Sequence, residues 1–488
     1  MATSGAEGQF RQKAQQIASL GVPVIPAIIS NLDGADEQML MAMGTVATYL
    51  DRRDVVQALR QAVRQPQRTD QGRITALTIL GRFLDEPPDP ELLESLEDPE
   101  YAATSSLEQV LNQAASDPSI LIDYVQGLDQ QEPDVVLALI RSLRRRRDAL
   151  AVEPLRLMAQ DVREETAAAA LQALGTVRLP EAARALQTLQ PACPPALRPQ
   201  AERLLRKLQF AGVAVLPLPL PDPEWRSLVS PVDGLGQQSV WFIQEDQRTG
   251  LARFLNVLLS DRAGAVEAAG YEQVSAAGLP PRRTLGHMHD IVLADGSGAM
   301  LMLEATFDLG RRLVLEALLQ NRKTQIPVAG VLRLLSPWLW GYAGADSLAA
   351  QILPQLGDEA DDLAGGSNRL VVHPAFNAWT VQTEATLQAA EEAMRHPGRD
   401  REVWVQRLAA EVLADPHVAR VFSRRLVAMS EWLMLAGDGE GSRLALAAAQ
   451  ALSQSPLDAR FVQALIRRDF ELVLHSMEQQ AAPDTGAE

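Results

Sequence analysis

The chain has 488 residues, of which 47% are hydrophobic and 22% charged, proportions that exclude a disordered or collagen-like protein and leave room for two to four domains. Its 62 acidic residues against 45 basic ones give a net charge of -17, which disfavours nucleic acid as a partner unless the basic residues cluster. The single cysteine, Cys193, excludes an internal disulfide framework and any multi-cysteine zinc site, and fits a reducing compartment.

No run reaches roughly 18 uninterrupted apolar residues, and the first residues carry no apolar stretch of signal-peptide type. The expectation is a cytoplasmic protein without a membrane partner. The nearest approach to a span, 326–345, is interrupted by Pro327, Arg333 and Pro337 and reads as a buried helix with a break.

From Gln9 to about Leu208 nearly every segment reads as a helix of ten to fifteen residues closed by Pro, Gly or Asp. Small residues recur from Gly44 to Gly81 and from Ser142 to Gly175, distances within the roughly 30 to 47 residues of a two-helix repeat. The clearest copy opens at Val152-Glu153-Pro154-Leu155, where Pro154 suits a first helical turn and Leu155 and Met158 face inward. In it Asp161-Val162-Arg163 precedes the second helix, with Asp161 as its expected cap. Ala167, Ala170, Leu171, Leu174 and Val177 then recur on one face. A single pair cannot bury such a stripe alone, so pairs must stack.

On these residues, 151–189 resembles a HEAT repeat of the short bacterial type first noted in phycobilisome lyases, and the segment from Val22 to Asp51 is a looser copy. Residues 85–133 depart from the pattern. The resemblance implies an α-solenoid over 1–210 that serves as an interaction scaffold, and it carries no catalytic residue of its own.

The pattern changes at Gly212 to Pro221, where alternating prolines make an extended linker or edge segment. Period-two stretches follow at 238–245, 252–259, 287–293 and 300–307, with turns at 246–250 and 295–298. Together they predict a small antiparallel sheet of two hairpins over 211–308, joined by an irregular crossover at 260–286. A helical period returns at Gly310, with Leu313, Val314, Ala317 and Leu318 toward the sheet. It continues through expected helices at 328–340, 346–356, 377–395, 401–414, 416–436, 441–453 and 458–478. The helical C-terminal region thus covers 309–479, with 480–488 a disordered tail. Trp432 to Leu452 resembles one tetratricopeptide helix pair.

Candidate chemistry is sparse. His287 and His289 share a strand face, so two imidazoles could meet one metal, with Asp261, Asp290 or Glu304 as a carboxylate; no third ligand stands at a readable spacing, and the simpler reading is a half-exposed strand face. Asp261 and Arg262 close a strand and double as turn residues. Asp233-Gly234-Leu235-Gly236 lacks the lysine of a phosphate loop and reads as a turn. Arg144, Arg145, Arg146 and Arg147 end a helix, where cations complement the dipole, and form the densest candidate site for an acidic partner. Trp338 and Trp340, with Tyr342, make an aromatic contact surface or the core of an amphipathic helix.

The sequence therefore points to a mainly α protein: a HEAT-like α-solenoid, a small β-rich module and a helical C-terminal region. The expected role is that of a cytoplasmic scaffold or assembly factor that binds a partner protein, with no cofactor expected. The alternatives are an enzyme with a site in the β module, metal-assisted or not, and a bilin-lyase-like chaperone.

Overall fold

The computed structural model describes residues 13–35, 37–65, 67–86, 107, 110, 111, 113, 114, 116–292, 299–344, 348, 350–381, 383–396, 398 and 400–481. The turn expected at 295–298 and residues 482–488 of the expected tail lie outside these residues, as do 87–106, 108, 109, 112 and 115 of the stretch 85–133 that departs from the repeat pattern; residues 480 and 481, expected in the disordered tail, end the last helix instead. The chain divides into two compact units, one of Met1–Ile120 with Glu132–Arg146, the other of Leu121–Gln131 with Arg147–Glu488. The boundaries expected at 210/211 and 308/309 do not fall on this division.

In chain order the helices before the sheet are α1 (Val24–Ser30), α2 (Glu37–Ala47), α3 (Arg52–Val63), α4 (Asp70–Thr78), α5 (Ile120–Asp129), α6 (Pro133–Arg146), α7 (Val152–Met158), α8 (Glu164–Leu174), α9 (Pro180–Ala192) and α10 (Arg198–Phe210). In the first unit, Ile28, Leu32, Val55, Leu59, Val63 and Ile79 form a shared core. Asp51 caps α3 through the amides of Arg53 and Asp54, and Thr69 caps α4 through Gly72. A Cβ on Gly44 would overlap the Phe83 ring, so the small residue seen in the sequence is a packing requirement. Helix α6 buries Val136, Leu139, Ile140 and Leu143 and exposes Arg144 and Arg145 on its last turn.

In the second unit α7 to α10 pack pairwise. Ala167, Ala170, Leu171, Leu174 and Val177 are all fully buried, as their spacing predicts. A Cβ on Gly175 would overlap Leu204, which explains the glycine ending α8. Asp161 does not cap α8, contrary to expectation. It is buried and accepts from the backbone and guanidinium of Arg163, whose other nitrogens donate to the Leu128 and Gln131 carbonyls, 2.8 Å away at Gln131. The Asp161–Arg163 pair thus satisfies orphan carbonyls where α5 ends.

The sheet holds β1 (Trp225–Val229), β2 (Gln237–Asp246), β3 (Leu251–Ser260), β4 (Gly264–Ser275), β5 (Met288–Val292) and β6 (Ala299–Ala305) in the order β4-β3-β2-β1-β6-β5, each pair antiparallel. Six strands replace the four expected. The crossover predicted at 260–286 contains β4, which hides from a period-two reading because its inner face carries Gly264, Ala265, Ala268 and Gly270. Side chains there would collide with the helices above, Gly264 with Asn321 and Gly270 with Leu335. β1 escaped because it is central and buried on every residue, Arg226 and Ser227 included. A strand covered on both faces shows no alternation.

Helices α11 (Phe307–Thr324), α12 (Gly330–Trp340), α13 (Ala360–Gly365), α14 (Glu384–Arg395), α15 (Arg401–Leu413), α16 (Pro416–Leu435), α17 (Gly439–Gln454) and α18 (Arg460–Ala481) complete the chain. α11 lies on the sheet as expected, so close that a Cβ on Gly310 would press on Phe242 and Ser227. The described residues of the helix expected at 346–356 are irregular instead. α16 and α17 form the expected helix pair, turned by Gly437 at φ +81. One continuous core runs from Val162 and Ala192 through Phe242, Leu255 and Leu303 to Trp379, Phe422, Phe461 and Phe470. Within the second unit, Val162 and Ala192 of the helix pairs thus share one core with the sheet and the C-terminal helices.

Helix α12 carries Pro337, which has no N–H to offer the carbonyl four residues back, that of Arg333. α7 and the turn that follows it supply the donors instead. Arg156 Nη1 and Gln160 Nε2 donate to Arg333 O at 2.9 and 3.0 Å, and Arg156 Nη2 donates to Leu334 O at 2.8 Å. Arg333 itself is held by both oxygens of Asp129. Burial pushes the Asp129 carboxyl up despite the opposing pull of that guanidinium.

Candidate functional site

The sheet has two unlike faces. One bears Trp225, Val229, Phe242 and Leu255 against α11 and belongs to the large core. The other bears a smaller cluster of Leu228, Ile243, Ala252 and Met302, against which Ala276 and Leu279 pack. Charged groups converge on this second face. Arg226 on β1 meets both oxygens of Glu304 on β6, at 3.3 and 3.1 Å, and Glu245 on β2 at 2.8 Å, and it also donates to the Pro280 carbonyl.

His289 on β5 hydrogen-bonds Glu304 through Nε2 at 2.9 Å. Arg226, Glu304 and His289 are all buried, so the carboxylate takes two Arg bonds and one imidazole bond away from bulk water. His287 is exposed, and its ring stands edge-on to that of His289, with centroids 4.9 Å apart. The two histidines and Glu304 therefore come together as the strand alternation suggested, but Glu304 is held as part of an Arg–Glu–His network. Among the described residues no group of three His, Cys, Asp or Glu side chains could hold a metal ion.

Asp261 is elsewhere. β3 and β5 are separated by four strand spacings, about 19 Å. The metal or catalytic constellation of His287, His289 and Asp261 is thus not assembled. Asp261 is instead gripped by the buried Arg425 of α16, whose Nε and Nη2 donate to its two oxygens at 2.7 and 3.0 Å, with Arg424 at 3.5 Å. Arg425 also donates to the carbonyls of Gly234 and Leu235, which fixes the 233–236 turn against the strand end. Arg262 is exposed beside it. Nothing in the sequence near Asp261 announces Arg425, because the partner lies 164 residues away.

The aromatic pair divides. Trp340 is fully buried, with the Arg311 guanidinium 5.8 Å from its ring, and is core, not contact surface. Trp338 is half-buried and lines a cleft of about 810 Å³. The Arg253 guanidinium sits 5.7 Å from its ring, Trp225 is tilted against it at 6.4 Å, and Trp225 Nε1 donates to Tyr342 Oη at 2.9 Å. The opposite wall is α7 and α9, with Glu153, Glu181 and Arg184.

Along the cleft's rim runs 216–221, in which every residue is a proline or precedes one, so all are confined to extended backbone. Gln187 Nε2 donates to Leu216 O at 2.9 Å and the Ala343 amide to Pro219 O at 2.8 Å. The two carbonyls are three residues apart, one turn of a polyproline helix, and so face the same side.

Cys193 is buried, and burial pushes its thiol up to about 11, which removes the thiolate a nucleophile needs. Among the described residues no helix is long and apolar enough to cross a membrane. No protein-family model, curated protein or solved structure matches the chain.

Proposed function

We propose that the protein is a scaffold that binds an extended segment of a partner protein in the cleft between α7, α9 and Trp338. The observation that carries this reading is the composition of the cleft walls. Trp, Tyr and Arg, the side chains that dominate binding hot spots, meet there beside a helix pair of HEAT-like sequence. The rim already holds an extended backbone by its carbonyls, at Leu216 and Pro219, which is how such grooves grip proline-rich or extended chains. The stacked pairs α7 to α10 support the solenoid reading, in which such a surface is the working part. An enzymatic site in the β module draws no comparable support, since Asp261 and His289 are committed to Arg425 and Glu304.

The test is selection of peptides from a random displayed library on the full-length protein. Enriched extended, apolar peptides should lose at least tenfold in affinity on Trp338→Ala, while an exposed control such as Val372→Ala leaves it unchanged. If no peptide enriches, or if Trp338→Ala binds the enriched peptides as tightly as the parent, the cleft is not the binding surface.

A further inference from the structure

A second cavity, of about 310 Å³, opens where β6 ends and α11 begins, beneath the C-terminal end of α16. Its wall is largely apolar, with Leu285, Ala305, Leu309, Ile352 and Leu435, and one buried polar pair, Arg312 and Glu431, is set into it. At roughly 30 Å³ per water it has room for about ten waters, at the lower end of the range for small-molecule sites.

The pair is not symmetric. Glu431 Oε1 accepts from Arg312 Nη2 at 2.6 Å and from the Ile352 amide at 3.1 Å, whereas no group among the described residues hydrogen-bonds Oε2. Arg312 Nη1 is turned to a second carboxylate, Glu316, at 2.8 Å. Burial opposes the Arg312 charge, and the bonds to Glu431 and Glu316 more than offset it, so its pKa is raised. Within the cavity Arg312 is the counter-ion of Glu431, while Glu316 lies mostly in solvent, and Glu431 Oε2 is left as an unused acceptor on the cavity wall. The other acids of the lining are answered outside it, Glu304 by Arg226 and Asp308 by Arg311. An acceptor that opens onto a cavity takes a donor from whatever fills it, and a charged one is answered best by a cation.

We propose that this cavity binds a small primary amine carried on an apolar body, the ammonium donating to Glu431 Oε2 and the body lying against Leu285, Leu309 and Leu435. An ammonium offers three donors and a charge opposite to that of the Glu431 carboxylate, an alcohol offers one donor and no charge, and a carboxylate is repelled by Glu431. The site is separate from the Trp338 cleft and does not rest on the partner-binding reading.

Calorimetric titration of the full-length protein with phenethylamine tests it, against phenethyl alcohol and 3-phenylpropionate. Phenethylamine should saturate one site per chain, the alcohol should bind at least tenfold more weakly, and the acid should give no saturation. Glu431→Gln should weaken the amine at least tenfold. Leu285→Trp, a change at the exposed mouth of the cavity, should abolish binding with the fold intact by circular dichroism, and it decides the matter if Glu431→Gln does not fold. The proposal is overturned if the amine does not saturate, if the three probes bind alike, or if a folded Glu431→Gln or Leu285→Trp protein binds the amine as the parent does.

Discussion

Asp261 and Arg262 are neighbours that the sequence could not tell apart, and the structure separates them completely. Asp261 is the counter-ion of a buried Arg425 whose remaining nitrogen holds a turn; Arg262 is exposed. Removing one partner of a buried pair leaves the other desolvated and uncompensated. Asp261→Ala is therefore expected to cost about 3 kcal/mol, and Arg262→Ala less than about 0.5 kcal/mol, both read from urea denaturation midpoints. An equal effect at the two positions would refute the clamp. The same logic governs what was legible at this scale. His287 and His289 could be placed on one face because strand geometry is local, and Glu304 was among the carboxylates within their reach. Arg226, Arg312 and Arg425 could not be assigned, because each pairs with residues brought close only by the finished fold.

At the scale of elements, long amphipathic helices were readable wherever one face is buried and the other wet. α8, α11, α12 and α15 to α18 follow their periodicity to within a few residues. β4 was not readable, and the reason is steric. Where a strand lies directly under helices, glycine and alanine take the place of the branched residues that usually mark strands. Gly264 is the sharpest case, at φ +89 and with Asn321 and the Ala317 carbonyl where a Cβ would sit. Asn321 in turn accepts from the Ala265 amide at 2.7 Å. Gly250, at φ +67, faces open space and separates the conformational cost from the packing cost. Gly250→Ala is expected to cost about 1 kcal/mol, and Gly264→Ala at least about 2 kcal/mol. Thermal unfolding of the two variants checks the difference, and matching values would mean that the α11 contact contributes nothing.

For the whole molecule, the sequence suggested three modules in a row, divided where its periodicity changes. The core does not respect those divisions. Val162 and Ala192, from the helix pairs, share one hydrophobic cluster with the sheet and with Trp404 and Phe470 of the C-terminal helices. Changes of periodicity mark changes of secondary structure, but only contacts mark domains, and the contacts that join α7 to α12 span more than 170 residues. A chain ending at residue 210 is accordingly expected to leave 152–192 unprotected in amide hydrogen exchange, although the same amides are slow in the full-length protein. Full protection in the shortened chain would restore the modular picture.

The bonds from Arg156 and Gln160 to the proline-broken turn of α12 also set a timetable for biosynthesis. Arg156 leaves the ribosome 177 residues before Arg333. At roughly 5–20 residues per second, the helix pair waits about 10–35 s for the carbonyls that complete it. Throughout that interval an arginine destined for burial lacks the carbonyls that it meets in the finished fold. The proline that interrupts one helix thus ties the completion of an earlier one to a segment made 177 residues later.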